Sequence, residues 1–434
     1  MLWLWSLACQ PEDPGPTDVS PKTDAATGTE TGADTAPPGT TPTETAADTA
    51  GDTGRATETQ TGPWGAVTLA WPGRGVAVAD LAAGPDGATW IVGRSWADGA
   101  EDAPEAAVVR LDPAGRPDPA FDGDGLLLLS GTAATAVAVA ADGTCFVAGV
   151  DPAGGDATPF VTRLDPTGAA VAPFGTVPLD LEAGPELAVD LVAPAAGGAL
   201  LLRGGATGAS TVRLTDAGAL DPVWGAGGVA PLPVTVDCAA TTLCDRGTLG
   251  VLTDGAAIGV IGAAALAVKL DPTGAQDRSY GTGGVAVSTG PSWMRGAQVL
   301  PDGRLWVTGA TVDVDGFDAW AQSMGADGVV GAVLHVDLGA AGLDPADIAE
   351  DAAGRLVLVG RVEESGLGRP AIVRTDAAGI ADPAFGTDGI FGVDPATSEV
   401  ATLQAVDFAP DGTILAAGDD EALAAAVAVA TDGS

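Results

Sequence analysis

An all-β fold of seven repeated four-stranded units is predicted for this 434-residue chain by three observations. A glycine closes a short apolar run in the same local setting seven times: Gly93, Gly149, Gly204, Gly262, Gly309, Gly360 and Gly418, at intervals of 47 to 58 residues. The runs have strand length and are punctuated by Asp-Gly or Gly-Gly turns. A repeat of that period built from such runs makes one blade of a ring of sheets. The chain ends supply the third observation. Residues 426–434 (AVAVATDGS) read as a third strand and its turn, while 63–70 (PWGAVTLA) read as an aromatic-glycine turn and a strand with no partner before it. Together they make one complete unit. The expectation is therefore a seven-bladed β-propeller of four-stranded blades, closed by the N-terminal strand completing the last blade, which removes the exposed edges of a linear sheet. Residues 64–434 then divide into units of about 53 residues.

Each element of the unit has its own signal. The first half is an apolar run, a turn and a second run ending at the glycine, as in 77–93 (AVADLAAGPDGATWIVG), 135–149 (TAVAVAADGTCFVAG) and 405–418 (AVDFAPDGTILAAG). Asp-Gly between two strand-length runs is a hairpin signal, and the scarcity of polar residues fits strands packed on both faces. The second half is an 18-residue frame at 108–125 (VVRLDPAGRPDPAFDGDG), 211–228, 267–284 and 372–389, with 161–178 lacking only its last glycine. It reads as a third strand with a cation, a glycine turn, a proline-containing loop, an aromatic before a glycine, and a fourth strand. This frame resembles the delta-60 repeat family of bacterial propeller-type repeats over most of 64–434. Asp or Pro stands where that family has Asn, and the fifth unit (319–338, AWAQSMGADGVVGAVLHVDL) lacks the aromatic-glycine turn. The resemblance implies an exported propeller and transfers no catalytic residues.

Asp and Glu number 58 against 18 Lys and Arg, a formal charge of −40. Such a surface repels nucleic acid and anionic lipid and attracts divalent cations or basic partners. The first nine residues, MLWLWSLAC, resemble the end of a bacterial lipoprotein signal with Cys9 as the lipidated residue. No basic residue precedes the apolar run, the run is short for an export signal, and Ser6 stands where Leu is usual. A plain secretory remnant is the alternative. Residues 10–62, rich in Thr, Asp, Ala, Pro and Gly and without an aromatic, have too little apolar surface to fold and read as a disordered tether, spanning on the order of 40 Å. The expected organisation is a signal segment at 1–9, a tether at 10–62 and the propeller at 63–434, monomeric, exported and lipid-anchored at the outer membrane or cell surface, or else secreted. Cys238 and Cys244, with five residues between them (DCAATTLCD), read as a small-loop disulfide or as two free thiols. Cys145 reads as a buried core thiol.

Several constellations carry two readings each. Arg110, Arg163, Arg213, Lys269 and Arg374 repeat at one third-strand position, as a ring of cations for an anion or as braces paired with nearby Asp. Asp80, Asp190, Asp347 and Asp407, with Thr248 and Gln298, repeat along the first strands, which border the central channel. Close carboxylates raise one another's pKa unless a cation neutralises them, so they read as a channel site for a divalent ion, or as acceptors of backbone hydrogen bonds locking neighbouring blades. Asp313, Asp315 and Asp318 around Gly316 resemble part of a Ca2+ loop, or form a solvated acidic loop. The twelfth position holds Ala instead of Glu, so the segment is no EF-hand. The one histidine, His335, sits in an apolar run, Lys22 and Lys269 are not preceded by Gly, and no H-E-x-x-H, G-x-S-x-G or C-x-x-C occurs. The sequence therefore reads as a non-catalytic cell-surface scaffold binding a protein or matrix partner, with Ca2+ as a candidate ligand. Its alternatives are a carboxylate-dependent hydrolase or lyase on an extracellular polymer, or a purely structural envelope component.

Overall fold

The computed structural model describes residues 57–61, 66–70 and 74–429, apart from 98–103, 130–132, 152–156, 182–185, 206, 234–245, 314–315, 340, 365–366, 393–401 and 420–423, all within one compact unit, Asp52–Ser434. Cys9, Cys238, Cys244, Asp315 and most of the 10–62 segment lie outside the described residues, as does the side chain of Asp313.

The described elements are β-strands. β1 (Thr57–Thr61) and β2 (Ala66–Ala70) come first. Blade 1 is β3 (Arg74–Ala83), β4 (Thr89–Ala97), β5 (Glu105–Leu111) and β6 (Leu126–Leu129). Blade 2 is β7 (Ala133–Val139), β8 (Cys145–Asp151), β9 (Thr158–Leu164) and β10 (Thr176–Pro178). Blade 3 is β11 (Leu187–Val192), β12 (Ala199–Gly205), β13 (Gly208–Leu214) and β14 (Val229–Pro231). Blade 4 is β15 (Gly247–Val251), β16 (Ala257–Ile261), β17 (Leu266–Leu270) and β18 (Val285–Val287). Blade 5 is β19 (Met294–Val299), β20 (Leu305–Asp313), β21 (Gly316–Met324) and β22 (Val330–His335). Blade 6 is β23 (Gly342–Glu350), β24 (Leu356–Glu364), β25 (Leu367–Thr375) and β26 (Ile390–Gly392). These six antiparallel four-stranded sheets are the blades of a β-propeller. β27 (Thr402–Phe408), β28 (Ile414–Asp419) and β29 (Ala424–Val429) join the first two strands in a composite sheet of order β1-β2-β29-β28-β27.

The expectation of seven uniform four-stranded sheets is corrected here: six have that form, and the composite sheet has five strands. Its extra strand, β1, falls inside the 10–62 segment expected to be tether. The segment TETQT pairs along β2 from Thr57↔Ala70 to Thr61↔Ala66. Ladder bonds are made by the backbone, and β-branched Thr suits an edge strand, so a segment too polar to form a core still extends a sheet.

The recurring glycines have a packing cause. Five pair with the residue just before a bulge in the neighbouring first strand: Val78↔Gly93, Ala134↔Gly149, Met294↔Gly309, Pro345↔Gly360 and Leu403↔Gly418. A Cβ at these positions would overlap the carbonyl oxygen of Ala77, Ala133, Trp293, Asp344 or Thr402 respectively. The bulge brings two backbones too close for any side chain.

The core lies between sheets. Leu69, Val76, Ala405 and Leu415 share one apolar cluster between the composite sheet and blade 1, and Val357, Ile372, Leu403 and Ile414 share another between blade 6 and the composite sheet. The remaining clusters join consecutive blades. The aromatic before each glycine turn is buried: Phe121, Phe174, Trp224, Tyr280 and Phe385 are all 4% exposed or less. Beside them, turns of successive blades bond through the backbone, as in Gly225 N to Thr273 O at 2.6 Å and Gly281 N to Asp327 O at 2.7 Å.

Candidate functional site

The first strands of all six blades and β27 line one central channel of about 930 Å³. Asp80, Asp190, Asp347 and Asp407 all face it, with Thr248 and Gln298. Every one of the four carboxylates bridges two backbone N–H groups. Oδ1 accepts from the next residue in its own strand: Leu81 N at 2.8 Å, Leu191 N at 2.6 Å, Ile348 N at 2.9 Å and Phe408 N at 2.8 Å. Oδ2 accepts from the first strand of the following sheet: Val137 N at 2.9 Å, Leu249 N at 2.6 Å, Val406 N at 3.1 Å and Ala83 N at 2.9 Å. Gln298 Oε1 does the same for Glu350 N at 2.7 Å. The channel carboxylates are thus latches between neighbouring sheets.

The residues that sequence spacing places in one register occupy two. Asp80, Asp190 and Asp347 stand immediately after a bulge, whereas Gln298 and Asp407 stand two residues further along. Blade 2 carries Ala136 and Ala138 at these two positions, so among the described residues neither position of its first strand latches onto blade 3. Burial raises the carboxyl pKa at all four sites in spite of the donated N–H groups. It pushes Asp190 up to about 6 and Asp347 up to about 7. Asp80 is held well above the ordinary range by burial and then by the charge of Asp190, and Asp407 is raised by burial. Among the described residues, no group of three or more His, Cys, Asp or Glu side chains is placed to hold a metal ion.

Four of the five third-strand cations, all but Lys269, are braces. Arg110 pairs with Asp86 at 2.6 Å and with Asp118, and its guanidinium lies 5.4 Å from the Trp90 ring centre. Arg163 pairs with Asp142 at 2.8 Å over Phe146, Arg213 with Asp221 at 3.2 Å over Trp224, and Arg374 with Asp382 at 2.9 Å over Phe385. Each combines charge pairing with a cation–π contact. The proline loop's Asp (Asp118, Asp221, Asp382) recurs three residues before the aromatic, a signal that sequence reading left unused.

Asp318 is apart from the channel residues and meets His335 Nδ1 at 3.3 Å. His335, although it sits in an apolar run, is 67% exposed at its side chain, because β22 is the outermost strand of blade 5. Cys145 is buried, its thiol pKa driven up by burial. Sequence reading also missed a buried ion pair, Arg203 Nη1 to Glu186 Oε1 at 2.6 Å, and Asp419 Oδ2, which accepts Val78 N at 2.7 Å from β28.

No protein-family model matches the chain, and no curated protein matches it. Solved structures that it is similar to include the WD40 β-propeller domain of Doa1, with 12% identity, a TM-score of 0.44, and coverage of 82% of this chain and 97% of that one. YCF48 from Cyanidioschyzon merolae gives 12%, 0.48, 86% and 98%, and Sqt1 from Chaetomium thermophilum 14%, 0.45, 82% and 97%. The propeller architecture rests on the strand order and pairing above.

Proposed function

We propose that this protein is a non-catalytic binding scaffold, a rigid ring that presents its loops and channel mouth to a partner. The observation carrying this reading is the use of the channel carboxylates as latches, both oxygens of each occupied by backbone N–H groups of two sheets. The composite sheet serves as the seventh blade, with β2 closing the ring. This is supported by its packing on blades 6 and 1 and by the latches Asp347–Val406 and Asp407–Ala83 on either side of it. The 18-residue frame supports a delta-60-type repeat, and the Cys9 segment with the Thr- and Asp-rich stretch after it supports an exported protein tethered by lipid at the outer membrane or cell surface. The charge of −40 favours a basic protein or matrix partner over nucleic acid.

Thermal unfolding of the full chain with calcium and with chelator tests the latch reading. A ligand binding only the native state at 100 times its Kd stabilises by about 2.7 kcal/mol. With the oxygens already used by backbone donors, the two melts coincide. A calcium-dependent rise in Tm that disappears in Asp80→Asn and Asp190→Asn would replace latches by metal ligands.

One observation favours a second reading. Carboxyls at about 6 and about 7 facing a 930 Å³ channel lie in the range of a general acid. A carboxylate-dependent hydrolase or lyase predicts turnover of a glycan panel that is abolished by Asp347→Asn.

A further inference from the structure

What recurs from blade to blade builds the ring, and what breaks the recurrence marks a special place. The four repeating arginines are all spent on a neighbouring carboxylate and an aromatic ring. Two other arginines occur once only. Arg246, just before β15, and Arg295, in the bulge of β19, both line the channel at the end where the first strands begin. The first strands of the other sheets carry Ala79, Thr135, Val189, Ala346 and Gln404 at the place of Arg295, and apolar residues such as Val78 and Ala134 at that of Arg246.

The two guanidinium-bearing segments are joined: Arg246 Nη1 donates to the Arg295 carbonyl at 2.8 Å. Arg295 Nη2 stands 3.6 Å from Asp344 Oδ1, beyond hydrogen-bond length. Among the described residues, the other N–H groups of Arg246 and Arg295 donate no further hydrogen bond. Arg361 belongs to the same group, since its charge acts on Asp344 together with those of Arg295 and Arg246. Glu363 is the other carboxylate there, 3.6 Å from Arg361. Among the described residues, three guanidinium groups thus face two carboxylates, in a chain of charge −40. Trp293, next in sequence to the channel-lining Met294 and two residues before Arg295, is 71% exposed.

The geometry points to a binding site for a small sugar acid at the blade 4–blade 5 mouth of the channel, its carboxylate held by Arg246 and Arg295 and its ring offered to Trp293. Guanidinium groups match carboxylate oxygens in a planar fork, and an indole face suits the C–H face of a pyranose. The channel volume is that of a small-molecule site. The surrounding negative field selects against long polyanions and favours a ligand with a single charge. This deepens the binding-scaffold reading and rests on it; the calcium and chelator melts test that reading separately.

Titration calorimetry of the full chain with galacturonate, with galactose and with a Glu-rich peptide decides the matter. Galacturonate binds, galactose binds at least tenfold more weakly, and the peptide does no better than galactose. Arg246→Gln and Arg295→Gln each weaken galacturonate at least tenfold with an unchanged melt, Arg295→Lys weakens it less, and Arg116→Gln, remote in blade 1, leaves it alone. Absence of galacturonate binding at millimolar concentration, equal binding of galactose, tighter binding of the peptide, or indifference to both arginine variants would each overturn the proposal. The comparison of ligands on the unaltered protein stands even where a variant fails to fold.

Discussion

A carboxylate that bridges two backbone N–H groups at a joint is well placed but poorly solvated, and for the channel aspartates the loss of water dominates. Their folded-state pKa values lie above the unfolded value of about 4, near 6 for Asp190 and 7 for Asp347. Between those limits the native state holds more protons than the unfolded one, so this contribution to stability is complete below about pH 4 and is lost as pH rises towards 7. The turn aspartates act oppositely. Thr or Ser hydroxyls hold Asp142, Asp165, Asp271 and Asp277 below the ordinary range, and their contribution is lost as pH falls below about 4. The denaturant midpoint should therefore peak at mildly acid pH and fall towards neutrality, with a shallower fall in Asp347→Asn. A midpoint that climbs from pH 5 to 7.5 would mean burial does not govern these groups. The recurrence of Asp along the first strands was visible in the sequence, but the division into two registers was not. That division depends on where a bulge inserts an extra residue, which is a property of the strand pair.

At the scale of the element, the hairpin of first and second strands depends on a glycine opposite the bulge, and the frame depends on an arginine wedged between carboxylate and ring. Gly360→Ala forces a Cβ onto the Asp344 carbonyl oxygen, and overpacking of this kind costs about 1–3 kcal/mol. Arg374 is 1% exposed, 2.9 Å from Asp382 and 4.5 Å from the Phe385 ring centre. Arg374→Ala should cost about 1–3 kcal/mol by taking the close hydrogen-bonded charge from Asp382, which keeps only Arg355 at 3.5 Å, while Arg374→Lys keeps the charge and costs less. Chemical denaturation of both variants checks the order. The position of each marker glycine was legible from spacing alone, whereas its cause lay in a cross-strand approach. Blade 5 makes the converse point: without an aromatic-glycine turn it still builds four strands, because β21 and β22 pair directly across a glycine turn.

For the whole molecule, the test of ring closure is removal of the strands that supply it. Deleting 1–56 leaves every described strand in place and should leave the melt unchanged. Deleting 1–70 strips β1 and β2 from the composite sheet and bares β29, so Tm should fall and the protein should associate through the freed edge. Sedimentation and calorimetry on the two truncations read both effects; equal melts would mean that the ring does not need its N-terminal strands. The repeat could be read from residues because each unit carries its own strands and turns. β1 could not, since TETQT offers no apolar pattern and is recruited by an open backbone edge.

The joints between neighbouring sheets are unequal. Among the described residues, Ala136 and Ala138 give blade 2 no acceptor for blade 3, and at the joint of blades 4 and 5 Thr248 bonds back to Asp190, so that Arg246 holds a carbonyl of β19 but no carboxylate holds its amides. Breathing motions should therefore begin at these two seams, and amide hydrogens of β11 and β19 should exchange with deuterium ahead of those in β7, β15 and β27, whose amides the latches hold. The second of these seams carries Arg246 and Arg295, so an anion bridging them would slow exchange in β19 and leave β11 as it was.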